Sequence, residues 1–181
     1  MIRGIFLFIW NVFDPFYFSL TRLKRNGVFR VRLTRYKGKD VLLSDGMMIC
    51  KNDLLLKIHL HNVKLLREFS NKKNELAKGR GVYRRVLESM PLLAEYIFNH
   101  PKEADIKGII GITLINKGFR PLGFDCVKPN NKLYSIYKKI SHIPIFLLSN
   151  PKFSFDNLKK HQSVYLMMSK KSLVKRYNHL S

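Results

Sequence analysis

Between Val28 and Asn62 apolar and polar residues alternate along the chain with a period of two. In the run Val28–Tyr36, Phe29, Val31 and Leu33 interleave with Arg30, Arg32 and Thr34. Successive strand side chains point to opposite faces, so this is a strand with one apolar face and one basic face. Leu54–His61 repeats the pattern, with Leu54, Leu56, Ile58 and Leu60 on a core face and Lys57, His59 and His61 opposite. Lys37-Gly38-Lys39-Asp40, Ser44-Asp45-Gly46 and Lys51-Asn52-Asp53 divide the stretch into four short runs. Asp-Gly is a strong hairpin signal, so the stretch predicts an antiparallel meander, after which Asn62 caps a helix.

Beyond Asn62 the period lengthens. Val63, Leu66 and Phe69 begin a helix, and a basic break follows at Asn71-Lys72-Lys73. Val82, Val86, Met90, Leu93 and Ile97 continue at helical spacing, with Pro91 expected to kink or restart the helix. Ile106–Ile115 reads as a buried strand, Leu122–Val127 as a strand paired with it, and Val164–Met168 as the last. Leu133, Ile136 and Ile140 mark a further helix, and Ser169 caps a closing one. These elements predict a single α+β domain over 28–181, an antiparallel meander covered by helices with mixed further strands from the C-terminal half.

Residues 1–27 stand apart as an apolar, aromatic helical segment. Its stretch IFLFIWNVF is too short to span a bilayer, which takes ~20 apolar residues. Asp14-Pro15 starts a helix ending at Arg22, Lys24 and Arg25, with Gly27 terminating it. The segment either packs on the sheet or anchors the domain at a membrane face.

Charge narrows the function. Thirty-four Lys and Arg against twelve Asp and Glu leave a formal charge of +22, a field that favours polyanions. Between Asp14 and Asp40 there is no acid, whereas Arg22, Lys24, Arg25, Arg30, Arg32, Arg35, Lys37 and Lys39 all occur there. They form the candidate anion-binding set, with Tyr36 placed to stack on a planar group. The expected partner is an anionic polymer or an anionic membrane surface, with nucleic acid as the alternative; the oligomeric state stays open.

A second candidate set is His59 and His61, with Asp45, Asp53 or Arg32 in support, as a metal site or a general base. No further ligand stands at a defined spacing and Lys57 opposes a cation, so no metal or other cofactor is expected. Cys50 and Cys126 lack CxxC spacing and are expected to be buried free thiols in a reducing compartment. Gly79-Arg80-Gly81 resembles a phosphate-cradling loop but lacks the Lys-Ser/Thr pair.

The blocks FRVRLTRYKGKDVLLSDG, KNDLLLKIHLHN, GIIGITLINKGFRPLGF and MMSKKSLVKRY resemble the YkoP-like family of small bacterial proteins. A similar domain is found attached to polysaccharide deacetylases. The resemblance implies a bacterial setting and a link to cell-envelope polysaccharide, and it carries over no catalytic residues. The chain has no Asp-Asp pair and no HxxxH, so it is not expected to deacetylate anything itself. The combined expectation is a non-catalytic basic accessory domain binding an anionic cell-envelope polymer or membrane face. It would be cytoplasmic, or peripheral at the inner face of the membrane. Nucleic-acid binding and an enzyme centred on His59 and His61 are the alternatives.

Overall fold

A computed structural model of the chain describes residues 24–60, 65, 68–69, 74–113, 119–127 and 164–178. Strand β5 (Leu54–Leu60) lies at its centre. Leu55 and Leu56 point to opposite faces of β5, yet both are wholly buried, so the strand is covered on both sides. It pairs antiparallel with β2 (Phe29–Arg35) and parallel with β6 (Ile106–Thr113). A parallel neighbour requires a crossover, and α1 (Glu75–Phe98) lies within it. Strand β8 (Val164–Ser169) joins β6, β7 (Asp125–Val127) joins β8, and β1 (Lys24–Asn26) flanks β2. The sheet therefore runs β1-β2-β5-β6-β8-β7, and the α+β class is as expected.

The pairing inside the first stretch differs from simple succession. All four runs form strands, but β3 (Val41–Leu42) and β4 (Met48–Ile49) pair only with each other. The two seven-residue strands β2 and β5 form the longer ladder, from Phe29↔Leu60 to Arg35↔Leu54, and the short hairpin between them leaves the sheet. Leu43 and Ile49 from this hairpin then seal Leu55, Ile110 and Met167 on one sheet face. Strand β7 likewise pairs with β8 and not with β6, because the six-residue β8 occupies that edge of β6.

Lys24–Asn26 is strand, not the end of a helix. Asn26 stands opposite Phe29, leaving a Gly27-Val28 loop with Gly27 at φ 58, the sense that tight hairpin turns favour. A Cβ at Gly27 would strike the Ser89 side chain. The Ser89 hydroxyl accepts from the Val28 amide at 3.2 Å and donates to the Arg85 carbonyl at 2.9 Å, fastening the hairpin to α1.

Helix α1 starts earlier than expected, with Asn74 accepting from the Leu76 amide at 2.9 Å. It runs unbroken through Pro91. An interior proline costs ~3 kcal/mol or more, and burial of Met90, Leu93, Ala94 and Ile97 around it offsets that cost. Gly79-Arg80-Gly81 is helical and no phosphate loop; a Cβ at Gly81 would enter the Phe69 ring. Met90, Leu93 and Ile97 pack with Val31, Leu56, Ile58, Ile109 and Met168 into the main core. The helices expected from Asp14 and Leu133 lie outside the described residues.

Leu56→Ala removes a wholly buried aliphatic between sheet and helix and is expected to destabilise by ~2–5 kcal/mol in denaturant melts. Leu87→Ala, on the exposed side of α1, is expected to change stability by no more than about 0.5 kcal/mol.

Candidate anion site

The face of the sheet away from α1 has two halves. Around Leu55, Ile110 and Met167 it is apolar and covered by the β3–β4 hairpin. Toward β2 it is basic, because the register sets Arg30 opposite His59 and Arg32 opposite Lys57. Thr34 and Leu55 form the next pair and mark the border between the halves. Arg30 is buried at 6% exposure, and Arg32, Lys57 and His59 are partly buried. The Nε of Arg32 is buried without a hydrogen-bond partner among the described residues. A buried donor left unsatisfied costs ~1–3 kcal/mol, and like charges directly opposed across strands add to that cost.

Nearby carboxylates are occupied elsewhere. Asp40 accepts from the Lys51 amide at 2.9 Å, and Asp53 from the Cys50 amide at 2.7 Å. Asp45 accepts from the Met47 amide at 3.2 Å and from the Ser169 hydroxyl. Glu68 and Glu88 hold Arg85, and Glu103 holds Lys170 at 2.9 Å.

The candidate anion-binding set thus separates. Arg30 and Arg32 share the basic half-face. Arg35 falls on the opposite parity, is exposed, and donates to the Asn52 carbonyl at 3.0 Å. Lys37 and Lys39 are exposed in the loop that follows. Lys24 and Arg25 stand in β1, Arg25 opposite Arg30. Tyr36 lies in the second core at 4% exposure, so its ring is closed off as a stacking platform. Its position after the last β2 rung brings it over Leu43 and Ile49, and the bare Cα of Gly38 makes room for the phenol. Arg22 and His61 lie outside the described residues.

His59 is not assembled with the acids named beside it. Asp53 precedes β5, and His59 stands six residues further on, about 20 Å along an extended strand. Asp45 sits against Ser169, at the far end of the β6–β8 ladder. Among the described residues no group of His, Cys, Asp and Glu could hold a metal ion. Cys50 is exposed, against expectation, because the chain turns out of β4 at that residue. Desolvation and the Asp40 and Asp53 carboxylates push its thiol pKa up, away from nucleophile chemistry.

A second basic feature was not anticipated. Helix α2 (Lys170–Tyr177), capped by Ser169, borders a cleft of about 940 Å³ with β7, the hairpin and the turn at Arg120–Leu122. The absence of any acid after Asp156 signals the cationic helix. The cleft itself joins segments too distant in sequence for spacing to connect.

Among the described residues, a mixed sheet of this order, crossed by one long helix and carrying a basic half-face, defines a small α+β domain. The chain matches the YkoP domain model over residues 3–177 and belongs to that family. It is 50% identical over 180 residues to a Bacillus subtilis (strain 168) protein named "Uncharacterized protein YkoP", with 97% of each chain covered. No solved structure matches it. Among the described residues, no helix is long and apolar enough to cross a membrane.

Burial, and then Asp40, raise the Tyr36 pKa above its ordinary value, and burial does the same for Tyr177, whose hydroxyl donates to the Leu122 carbonyl. The folded state therefore holds these protons more tightly than the unfolded chain. The resulting stability is complete below the ordinary tyrosine value of ~10 and is lost as pH rises through the folded values. Denaturant midpoints should fall as pH rises above about 10, and less steeply in Tyr36→Phe. Equal slopes would place the phenol in water.

Proposed function

We propose that this protein is a non-catalytic accessory domain that binds an anionic cell-envelope polymer through the basic half of its second sheet face. The observation that carries the reading is the paired register, Arg30 opposite His59 and Arg32 opposite Lys57, on two central strands. The buried, unsatisfied Nε of Arg32 conflicts with local stability, and such conflicts concentrate where a ligand resolves them. An anionic group entering there would accept from Arg32 Nε. The formal charge of +22 would draw the polymer in over a longer range.

Two features favour a polymer over other partners. A bilayer presents a plane to exposed cations, whereas Arg30 is buried and its neighbours are partly so, which suits a chain that inserts. Nucleic acid loses its expected stacking platform with the burial of Tyr36. The envelope setting rests on the bacterial relative and on the deacetylase-linked domains that the family resemblance brings with it.

Retention of the full-length protein on immobilised dextran sulfate, with neutral dextran as control, tests the reading. Retention should fall steeply with salt, as the release of condensed counterions requires. Arg32→Gln should elute at clearly lower salt, with a melting temperature unchanged or slightly raised because a like-charge opposition is relieved. Elution of Arg32→Gln together with wild type would remove the basic half-face as the binding site.

A further inference from the structure

The cleft beside α2 lies on the edge of the sheet opposite β2, three strand spacings from Lys57, about 14 Å away. Its volume of about 940 Å³ suits a small molecule. Lys171, Lys175 and Arg176 reach it from α2 and Arg120 from the turn before β7. All four are exposed, and none forms an ion pair among the described residues. Lys171 and Lys175 stand four residues apart, so their Cβ atoms lie about 5–6 Å from each other on one helix face. Like charges at that spacing repel, and the first turn of α2 carries no acid to relieve them. The Arg176 side chain lies close over Gly123, which at φ 87 has no Cβ to push it away.

The lining also holds carboxylates, Asp125 and Asp45. Asp125 Oδ2 accepts from the Ser44 amide at 2.9 Å and from the Ser44 hydroxyl at 3.0 Å, which fixes the carboxylate in place. Neither bond uses Oδ1, and a carboxylate has about four lone-pair sites. Leu42, 66% exposed, and the buried Phe124 supply apolar surface beside it. Four cations and two carboxylates, Asp125 and Asp45, line the same cleft, and the carboxylates disfavour a bare inorganic anion. The set suits a molecule that carries both an anionic group and hydroxyls.

We propose that this cleft is a second binding site, separate from the sheet face, and that it takes a phosphorylated sugar or polyol. Lys171, Lys175 and Arg120 hold the phosphate as charge-assisted donors, and Asp125 accepts from the hydroxyls. Calorimetric titration of the full-length protein with glucose 6-phosphate, inorganic phosphate and glucose tests it. Glucose 6-phosphate should bind more tightly than either of the others. Lys171→Gln/Lys175→Gln should weaken it by about tenfold or more, equivalent to ~1.4 kcal/mol. Asp125→Asn should weaken the sugar phosphate severalfold while binding inorganic phosphate no more weakly than wild type, and Arg120→Gln, at an exposed position, reports on phosphate binding should Asp125→Asn fail to fold. Arg32→Gln should leave every affinity in this series unchanged, which separates this site from the sheet face. Equal affinity for inorganic phosphate and glucose 6-phosphate, no binding of either, or an unaltered double variant would each overturn the proposal.

Discussion

The parallel pairing of β5 with β6 is the constraint on which the other elements depend. A strand with a parallel partner cannot be reached by a hairpin, so the chain between Leu60 and Ile106 has to cross a face of the sheet. Helix α1 lies in that crossing and buries Met90, Leu93 and Ile97 against Leu56 and Ile109. With one edge of β5 taken by β6, β2 pairs along the other, through the longest uninterrupted ladder among the described residues, with Gly27 and Ser89 at the turn. Pro91 is tolerated because the helix is held by the sheet and not by its own propensity.

The division of the second face follows from the same pairing. The β3–β4 hairpin connects β2 to β5, so its reach is limited to the Leu54 end of β5, where Leu43 and Ile49 cover Leu55. The rungs Arg32↔Lys57 and Arg30↔His59 lie beyond that border. Apolar side chains there would have extended the second core; instead the chain keeps basic groups in a partly buried place. An arrangement that opposes stability while remaining compatible with the fold is where ligand binding is physically expected.

Alternation alone was enough to read the two faces of β2 and β5, and with them the basic membership of Arg30, Arg32, Lys57 and His59. The partner of each residue was not readable, because register depends on which runs win the pairing, and the short β3 and β4 lost it. Tyr36 shows the limit of parity. It shares a face with Arg30 and Arg32, as alternation predicts, yet it falls at the end of that face covered by the β3–β4 hairpin, and its ring is buried in the second core. Gly79 and Gly81 misled for a different reason. Gly81 marks a close approach of Phe69 to the helix, a contact between segments that local sequence cannot distinguish from a loop, and Gly79 faces open space. The cleft draws on Asp125, Arg120 and α2, whose proximity is set by the β7–β8 and β6–β8 ladders and is invisible in spacing.

Where the acids go decides what the cations are able to do. Asp40, Asp45 and Asp53 close turns on backbone amides, and Asp125 ties the hairpin to β7 through Ser44. Glu68 and Glu88 brace Arg85 on α1, and Glu103 anchors Lys170. These carboxylates serve the scaffold, where a short polar side chain can satisfy a loop donor that nothing else reaches. None of these bonds goes to Arg32, Lys171 or Lys175. Arg32 on the half-face and the four cations lining the cleft therefore keep donors that the scaffold does not consume among the described residues, which is what an entering anion would need.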